Sequence, residues 1–331
     1  MSAARNLITD IPGLRVGQAG DLKLASGVTV VVFDKAVTAS VDVGGGGPGT
    51  RETALLDPAQ TVEGIDAIVL SGGSAFGLDS ASGVQAYLRE QGRGFRIRDA
   101  VVPIVPAAIV FDLLNGGDKN WGRYPPYREL GYEAAKSAGR DVALGSAGAG
   151  VGATTVTLKG GVGSASATTP EGITVGAIVV VNAVGSTIVG DGPHFWAAPF
   201  EQNGEFGSRG APTRLTADDL KLRAKGGPQE NTTIAIVATD AALNKAQCNR
   251  LAVMAQDGLA RAIYPVHTPL DGDVVFSAAT GDKPLADPYY GLAGLGMLAA
   301  NVMARAVARG VYEATALPFP GAIPSWRDRF G

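Results

Sequence analysis

The chain has 331 residues, 46% hydrophobic and 18% charged, enough apolar material for a substantial core and too little charge for a disordered chain. Its formal charge is −3 with no basic cluster, which excludes nucleic acid as an expected partner. A single cysteine, Cys248, excludes an internal disulfide and points to the cytoplasm.

The N-terminal Met1–Asn6 is followed by no apolar signal core. Strands are predicted at Gly27–Phe33 and Ala36–Val43 from their β-branched runs. The run Gly44-Gly45-Gly46-Gly47-Pro48-Gly49 formally contains a GxGxxG pattern. It lacks a P-loop lysine, and Asp57-Pro58 interrupts the helix it should open. A tight loop lying against another element is expected there. A strand at Ala67–Leu70 leads through Ser71–Gly77 into a helix at Gly77–Glu90. A serine-hydrolase elbow is not formed, because Phe76 stands where glycine is required. A second helix is predicted at Arg128–Ser137 and a strand at Thr154–Leu158.

Lys159-Gly160-Gly161-Val162-Gly163 follows. Its glycines let backbone amides converge, and its lysine places a cation suited to a developing oxyanion; an exposed lysine in a turn is the competing reading. Gly172–Gly190 is uncharged and nearly long enough to span a membrane. Asn182 and the Val/Thr/Gly content instead indicate a buried strand at Val175–Val181, so no membrane span is expected. Asn182 either bonds backbone or donates to an oxyanion. A short helix is predicted from Thr216 to Lys225 within a connection, Gly204–Gln229, that would tolerate cleavage. Lys225–Glu230 reads as exposed loop. A strand at Thr233–Ala238 and a helix at Ala241–Ile263 follow, the helix carrying Cys248 on one face with Leu251, Ala252, Ala255 and Leu259. His267-Thr268-Pro269 reads first as a turn near a site, with a catalytic role for the histidine as the lesser alternative. Asp271-Gly272-Asp273 opens a strand at Asp273–Ala278, and residues two apart in an extended chain share a side; ordinary turn chemistry is the alternative. The last helix is Tyr290–Glu313. Runs of strands with paired helices favour a layered α+β architecture over a doubly wound parallel sheet. The only histidines are His194 and His267, too few for a His-rich zinc site, and no metal or cofactor is expected.

Asn231-Thr232-Thr233 joins the loop to a core strand. Scission there would give Thr232 both a hydroxyl and a free α-amine, whose ordinary pKa of about 7.7–8.0 suits a base near neutrality. The alternative is that the threonine pair simply opens the strand.

Together these pieces resemble the P1-type peptidases, the relatives of L-aminopeptidase/D-Ala-esterase, β-aminopeptidase and nylon-oligomer hydrolase. The resemblance rests on Gly46–Thr53, Leu70–Leu78, Lys159–Gly163, Ala235–Ala241 and Asp271–Phe276, in that order, and spans Ile8 to Leu317. It implies one catalytic domain, an αββα sandwich of the N-terminal-nucleophile hydrolase type. The precursor would cleave itself between Asn231 and Thr232 into residues 1–231 and 232–331, which stay associated. Asn231-Thr232-Thr233 and Gly192–Phe200 look closest to the nylon-oligomer hydrolase branch. The aminopeptidase branch typically has serine as nucleophile, and often a Ser/Glu pair where this chain has Asp271 and Asp273.

The implied mechanism has Thr232 Oγ attack the Asn231 carbonyl and, in the mature enzyme, a small amide or short-oligomer substrate such as a 6-aminohexanoate oligomer. Asp271 and Asp273 orient the hydroxyl and amine, and Lys159 and Asn182 stabilise the oxyanion. The alternatives are an aminopeptidase, D-amino-acid amidase or esterase of the same family, and an unprocessed, non-catalytic oligomeric binding protein. Some members add a tyrosine, which the resemblance does not assign among Tyr124, Tyr127 and Tyr132. The apolar helices make a homo-oligomer plausible, for instance a tetramer of processed heterodimers.

Overall fold

The structure is a computed structural model that describes residues 5–225 and 231–331. The loop expected over Gly226–Glu230 therefore lies outside the described residues. The elements in chain order are β1 (Leu14–Asp21), β2 (Ser26–Val43), β3 (Thr50–Arg51), β4 (Ile65–Ser71), α1 (Ser80–Glu90), β5 (Phe95–Ile97), β6 (Ala100–Val102), β7 (Ala107–Ile109) and α2 (Tyr127–Lys136). They continue with β8 (Val162–Thr168), β9 (Thr174–Asn182), β10 (Thr232–Ala241), α3 (Lys245–Ala260), β11 (Val274–Lys283), α4 (Tyr290–Tyr312) and α5 (Trp326–Phe330).

The long strand β2 organises the sheets. Its first half pairs antiparallel with β1 and β4, and its second half pairs antiparallel with β11. The hydrogen-bonded order is β3-β7-β4-β2-β11-β10-β9-β8, with β1 also on β2. Alternation along the strands then builds three apolar layers. Val31 and Phe33 of β2 meet Ile178 and Val180 of β9, Ile234 and Ile236 of β10, and Phe276 of β11 between the sheets. Val28, Val30 and Val32 point the other way, onto α1 and α2. Val179, Val237 and Val275 leave the second sheet on its outer side and pack under α3 and α4. Helix, sheet, sheet, helix is the αββα order expected, and each fully buried Val, Leu or Ile contributes roughly 1.5–3 kcal/mol.

Several elements differ from their predicted form. The strands at Gly27–Phe33 and Ala36–Val43 are one, running straight through the exposed Asp34-Lys35. Thr154–Leu158 is not a strand but a loop closed by a single bridge between Thr154 and Lys159, with Thr155 Oγ1 on the Leu158 carbonyl. The helix expected from Thr216 does not form. Its cap does, since Thr216 and Asp219 exchange backbone and side-chain bonds, but only turns follow. The helix predicted from Ala241 begins at Lys245, because β10 continues to Ala241. Cys248 is buried as expected, and burial pushes its thiol up to about 12. The Val175–Val181 run is the buried strand β9. Helix α4 has the length and composition of a membrane span, yet Val302, Met303, Ala306 and Val307 are spent on the core beside β8 and β9.

Candidate active site

Strand β10 begins at Thr232 directly opposite Asn182, the last residue of its antiparallel neighbour β9. On its other edge β10 runs parallel to β11, with Ile234 opposite Val274. That pairing extends one step back as a parallel bridge between Asn231 and Asp271. The register delivers the Gly272 N–H to the Asn231 carbonyl oxygen at 3.1 Å. The Thr232 hydroxyl Oγ1 donates to the same oxygen. One carbonyl thus lies between a backbone amide and a hydroxyl, at residues only 2% and 4% exposed. A side chain at position 272 would not fit: its Cβ would stand 2.7 Å from Thr232 Oγ1 and 2.6 Å from the Gly47 carbonyl oxygen.

The two aspartates flank this glycine, both 1% exposed. Asp271 Oδ1 accepts from Val184 N–H at 3.2 Å, and its Oδ2 accepts from Thr268 N–H at 2.9 Å and Thr268 Oγ1 at 2.8 Å. Burial and then the charge of Asp273 raise the Asp271 pKa, against the pull of those donors. Asp273 Oδ1 accepts from Thr233 N–H at 2.7 Å; its Oδ2 takes the His267 N–H at 3.1 Å and faces His267 Nδ1 at 2.9 Å. The glycine loop lies on this pair as the sequence suggested. Gly44 and Gly45 N–H donate to the Asp273 carbonyl and Gly47 N–H to the Asp271 carbonyl. A Cβ on Gly45 would come within 2.4 Å of the latter oxygen, so the GxGxxG pattern serves close backbone approach.

On the far side of Thr232, Asn182 Oδ1 accepts from Thr154 N–H at 3.0 Å and Lys225 Nζ at 3.3 Å, and its Nδ2 donates to the Phe111 carbonyl at 3.0 Å. Those three partners line a cavity of about 420 Å³ whose walls also include Lys159, Leu317 and Phe319. Lys159 is not an exposed turn residue. It is 1% exposed, and Nζ donates to the Gly150, Ala153 and Gly160 carbonyls, each at 2.8 Å. Burial, with Asp112 opposing and Lys225 assisting, lowers its pKa to about 7. All three of the Nζ partners are backbone carbonyls. Of the tyrosines, Tyr127 sends its hydroxyl to Ser26, Tyr132 to Glu90, and Tyr124 is exposed.

The fold therefore gathers Asn231, Thr232, Asp271, Asp273 and Asn182 at one end of adjoining strands, with Lys159 one loop away on the cavity wall. One member was not singled out by sequence: the Gly272 amide leaves no signal beyond a glycine between acids. His267 read as a turn residue near a site. A hydroxyl against a carbonyl already held by an amide donor, with proton-exchanging groups beside it, is arranged for acyl transfer.

The chain is similar to several known proteins. An uncharacterized aminopeptidase of Mycobacterium bovis is 45% identical over 98% of both chains. A 6-aminohexanoate-oligomer endohydrolase of Kocuria is 27% identical over 83% of this chain and 75% of its own. Among solved structures, a Burkholderia β-aminopeptidase superposes with a TM-score of 0.71 at 22% identity, covering 97% of this chain and 90% of its own. The L-aminopeptidase D-Ala-esterase/amidase of Ochrobactrum anthropi, described as a variant of the Ntn-hydrolase fold, gives 0.67 at 20% identity over 95% and 88%. The family profile of peptidase family S58 matches residues 6–322, so this chain belongs to peptidase family S58 and is a hydrolase acting on amide bonds.

Proposed function

We propose that the chain is a self-processing amidase whose nucleophile is Thr232, released as a new N-terminus by cleavage of the Asn231–Thr232 bond. The carrying observation is the contact of Thr232 Oγ1 with an Asn231 carbonyl oxygen that Gly272 N–H also holds. In the precursor the hydroxyl attacks the Asn231 carbonyl carbon, and the Gly272 amide stabilises the oxygen as it gains charge, a term of roughly 3–4 kcal/mol for a well-placed donor. The peptide nitrogen leaves as the Thr232 α-amine, and water resolves the ester. In the mature enzyme that amine takes the hydroxyl proton, Oγ1 attacks the substrate amide, and Asp271 and Asp273 hold the amine end in place. Lys159 lends positive charge from the cavity wall while it is protonated, below its pKa of about 7, and Asn182 supplies a side-chain amide opposite the nucleophile. The two fragments would remain one body, because β10 stays hydrogen-bonded to β9 across the new chain ends.

Thr232→Ala tests this. It is expected to run as one full-length band on a denaturing gel, whereas the wild type gives two; a mutant that still splits contradicts the assignment. The threonine and the paired aspartates favour amide oligomers such as linear 6-aminohexanoates. The 45% identity to a protein named an aminopeptidase favours free-amine peptides as the second reading. Turnover of acyl substrates differing only in a terminal amine separates the two.

A further inference from the structure

Two carboxylates on either side of one glycine, both buried, repel one another unless a cation stands beside them. His267 stands there. It adopts a left-handed backbone, φ +54°, which turns its N–H and its Nδ1 onto the same oxygen of Asp273. A Cβ on Gly44, in the loop after β2, would stand 2.9 Å from the His267 Nδ1 and 3.1 Å from the amide nitrogen of Gln256 of α3, which reaches Asp42, while the His267 Nε2 is buried with no hydrogen-bond partner among the described residues. The ionisable groups facing it are therefore Asp273, then Asp271, with Asp42 one step removed through Gln256. Burial opposes charging of the imidazole, yet the bond and charge of Asp273, aided by Asp271, raise its pKa above the ordinary value.

We propose that His267 is a positioning residue that acts through Asp273. Its N–H and its ring fix Asp273 in direction through one oxygen, and as an imidazolium it sets a positive charge against the buried pair, whose other member, Asp271, has its pKa raised by burial and by the charge of Asp273. The freed Thr232 amine then meets one defined carboxylate instead of two sharing a proton. This rests on the reading of Thr232 as an N-terminal nucleophile. Without the cation the freed Thr232 amine and Asp271 each hold a proton to higher pH, so the acidic limb of the activity profile moves upward.

His267→Asn is the test. Asparagine tolerates the left-handed backbone and keeps a neutral donor, but cannot carry charge. With a p-nitroanilide amide as substrate, the acidic limb of kcat/KM is expected to rise by about one pH unit. Activity falls on the order of tenfold near pH 6 and by less than about threefold at the alkaline plateau. A processed variant whose profile superimposes on wild type overturns the proposal while leaving the Thr232 assignment intact. If the variant is isolated as one chain, its cleavage is followed from pH 6 to 9. Recovery at the higher pH supports the proposal, and no cleavage at any pH overturns it. An active wild type that is never cleaved refutes instead the reading on which it rests.

Discussion

Replacing Gly272 with alanine probes the geometry at the Asn231 carbonyl, the proposed point of cleavage. The added Cβ would lie 2.7 Å from Thr232 Oγ1 and 2.6 Å from the Gly47 carbonyl oxygen, both far inside contact distance. Gly47 is not free to retreat, since its own N–H is bonded to the Asp271 carbonyl at 2.8 Å. The threonine hydroxyl must therefore move. A misplacement of about 1 Å at a reacting atom costs on the order of 10²-fold in rate, roughly 3 kcal/mol of barrier. Overpacking adds about 1–3 kcal/mol of instability, which circular dichroism and a urea titration measure separately. The assay is the half-time for the full-length band to become two fragments after rapid purification. We expect about a hundredfold slowing in a protein that still folds. A Gly272→Ala chain that folds and cleaves at the wild-type rate would show that the hydroxyl does not attack from this position.

Lys159 makes stability depend on pH. Its folded-state pKa of about 7 lies below the usual 10.5, so the unfolded chain binds a proton that the folded one has released. Between those values stability rises with pH, by at most about 1.4 kcal/mol per unit, and urea midpoints measured from pH 7 to 9 should climb. Lys159→Met should flatten that slope and lower stability overall by leaving three carbonyls without their donor; an unchanged slope contradicts the assignment. Glu205→Gln removes the charge that faces Arg305 and Arg309 of α4, a buried contact between the two expected fragments. Breaking such a pair costs about 3–5 kcal/mol. The processed protein should come apart at lower urea, and an unshifted midpoint would exclude this role.

The layered fold was legible because β9 and β10 are dense in β-branched residues, β11 opens on Val274-Val275-Phe276, and α4 is long and apolar. Strand β8 was not, for a steric reason. A Cβ on Gly163 would meet the Ala306 carbonyl oxygen of α4 at 1.8 Å, so close helix packing demands small residues that carry no hydrophobic signal. Asp34-Lys35 looked like a break because charges usually mark turns, whereas here they sit exposed within a strand that continues into the second sheet. The β-branched run at Thr154–Leu158 misled in the opposite direction: its Thr154 amide is committed to Asn182, and it folds as a loop around the site. Asp271, Asp273, Thr232, Asn182 and Lys159 drew notice by residue type, but local spacing left a purely structural reading of each open, and it was the resemblance that joined them into one candidate site. The Gly272 bond to Asn231 could not be read, because it exists only through the parallel register of β10 on β11, between segments far apart in the chain. The His267 contact with Asp273 depends likewise on a left-handed turn that residue type does not announce.

The most direct measurement is the N-terminal sequence of the smaller fragment of a fully active preparation, read alongside its intact mass. The expected sequence begins Thr-Thr-Ile-Ala-Ile, with Thr232 bearing a free amine and full amidase activity present. Full activity in protein whose Asn231–Thr232 bond is intact, or a fragment beginning elsewhere, would contradict Thr232 as the nucleophile.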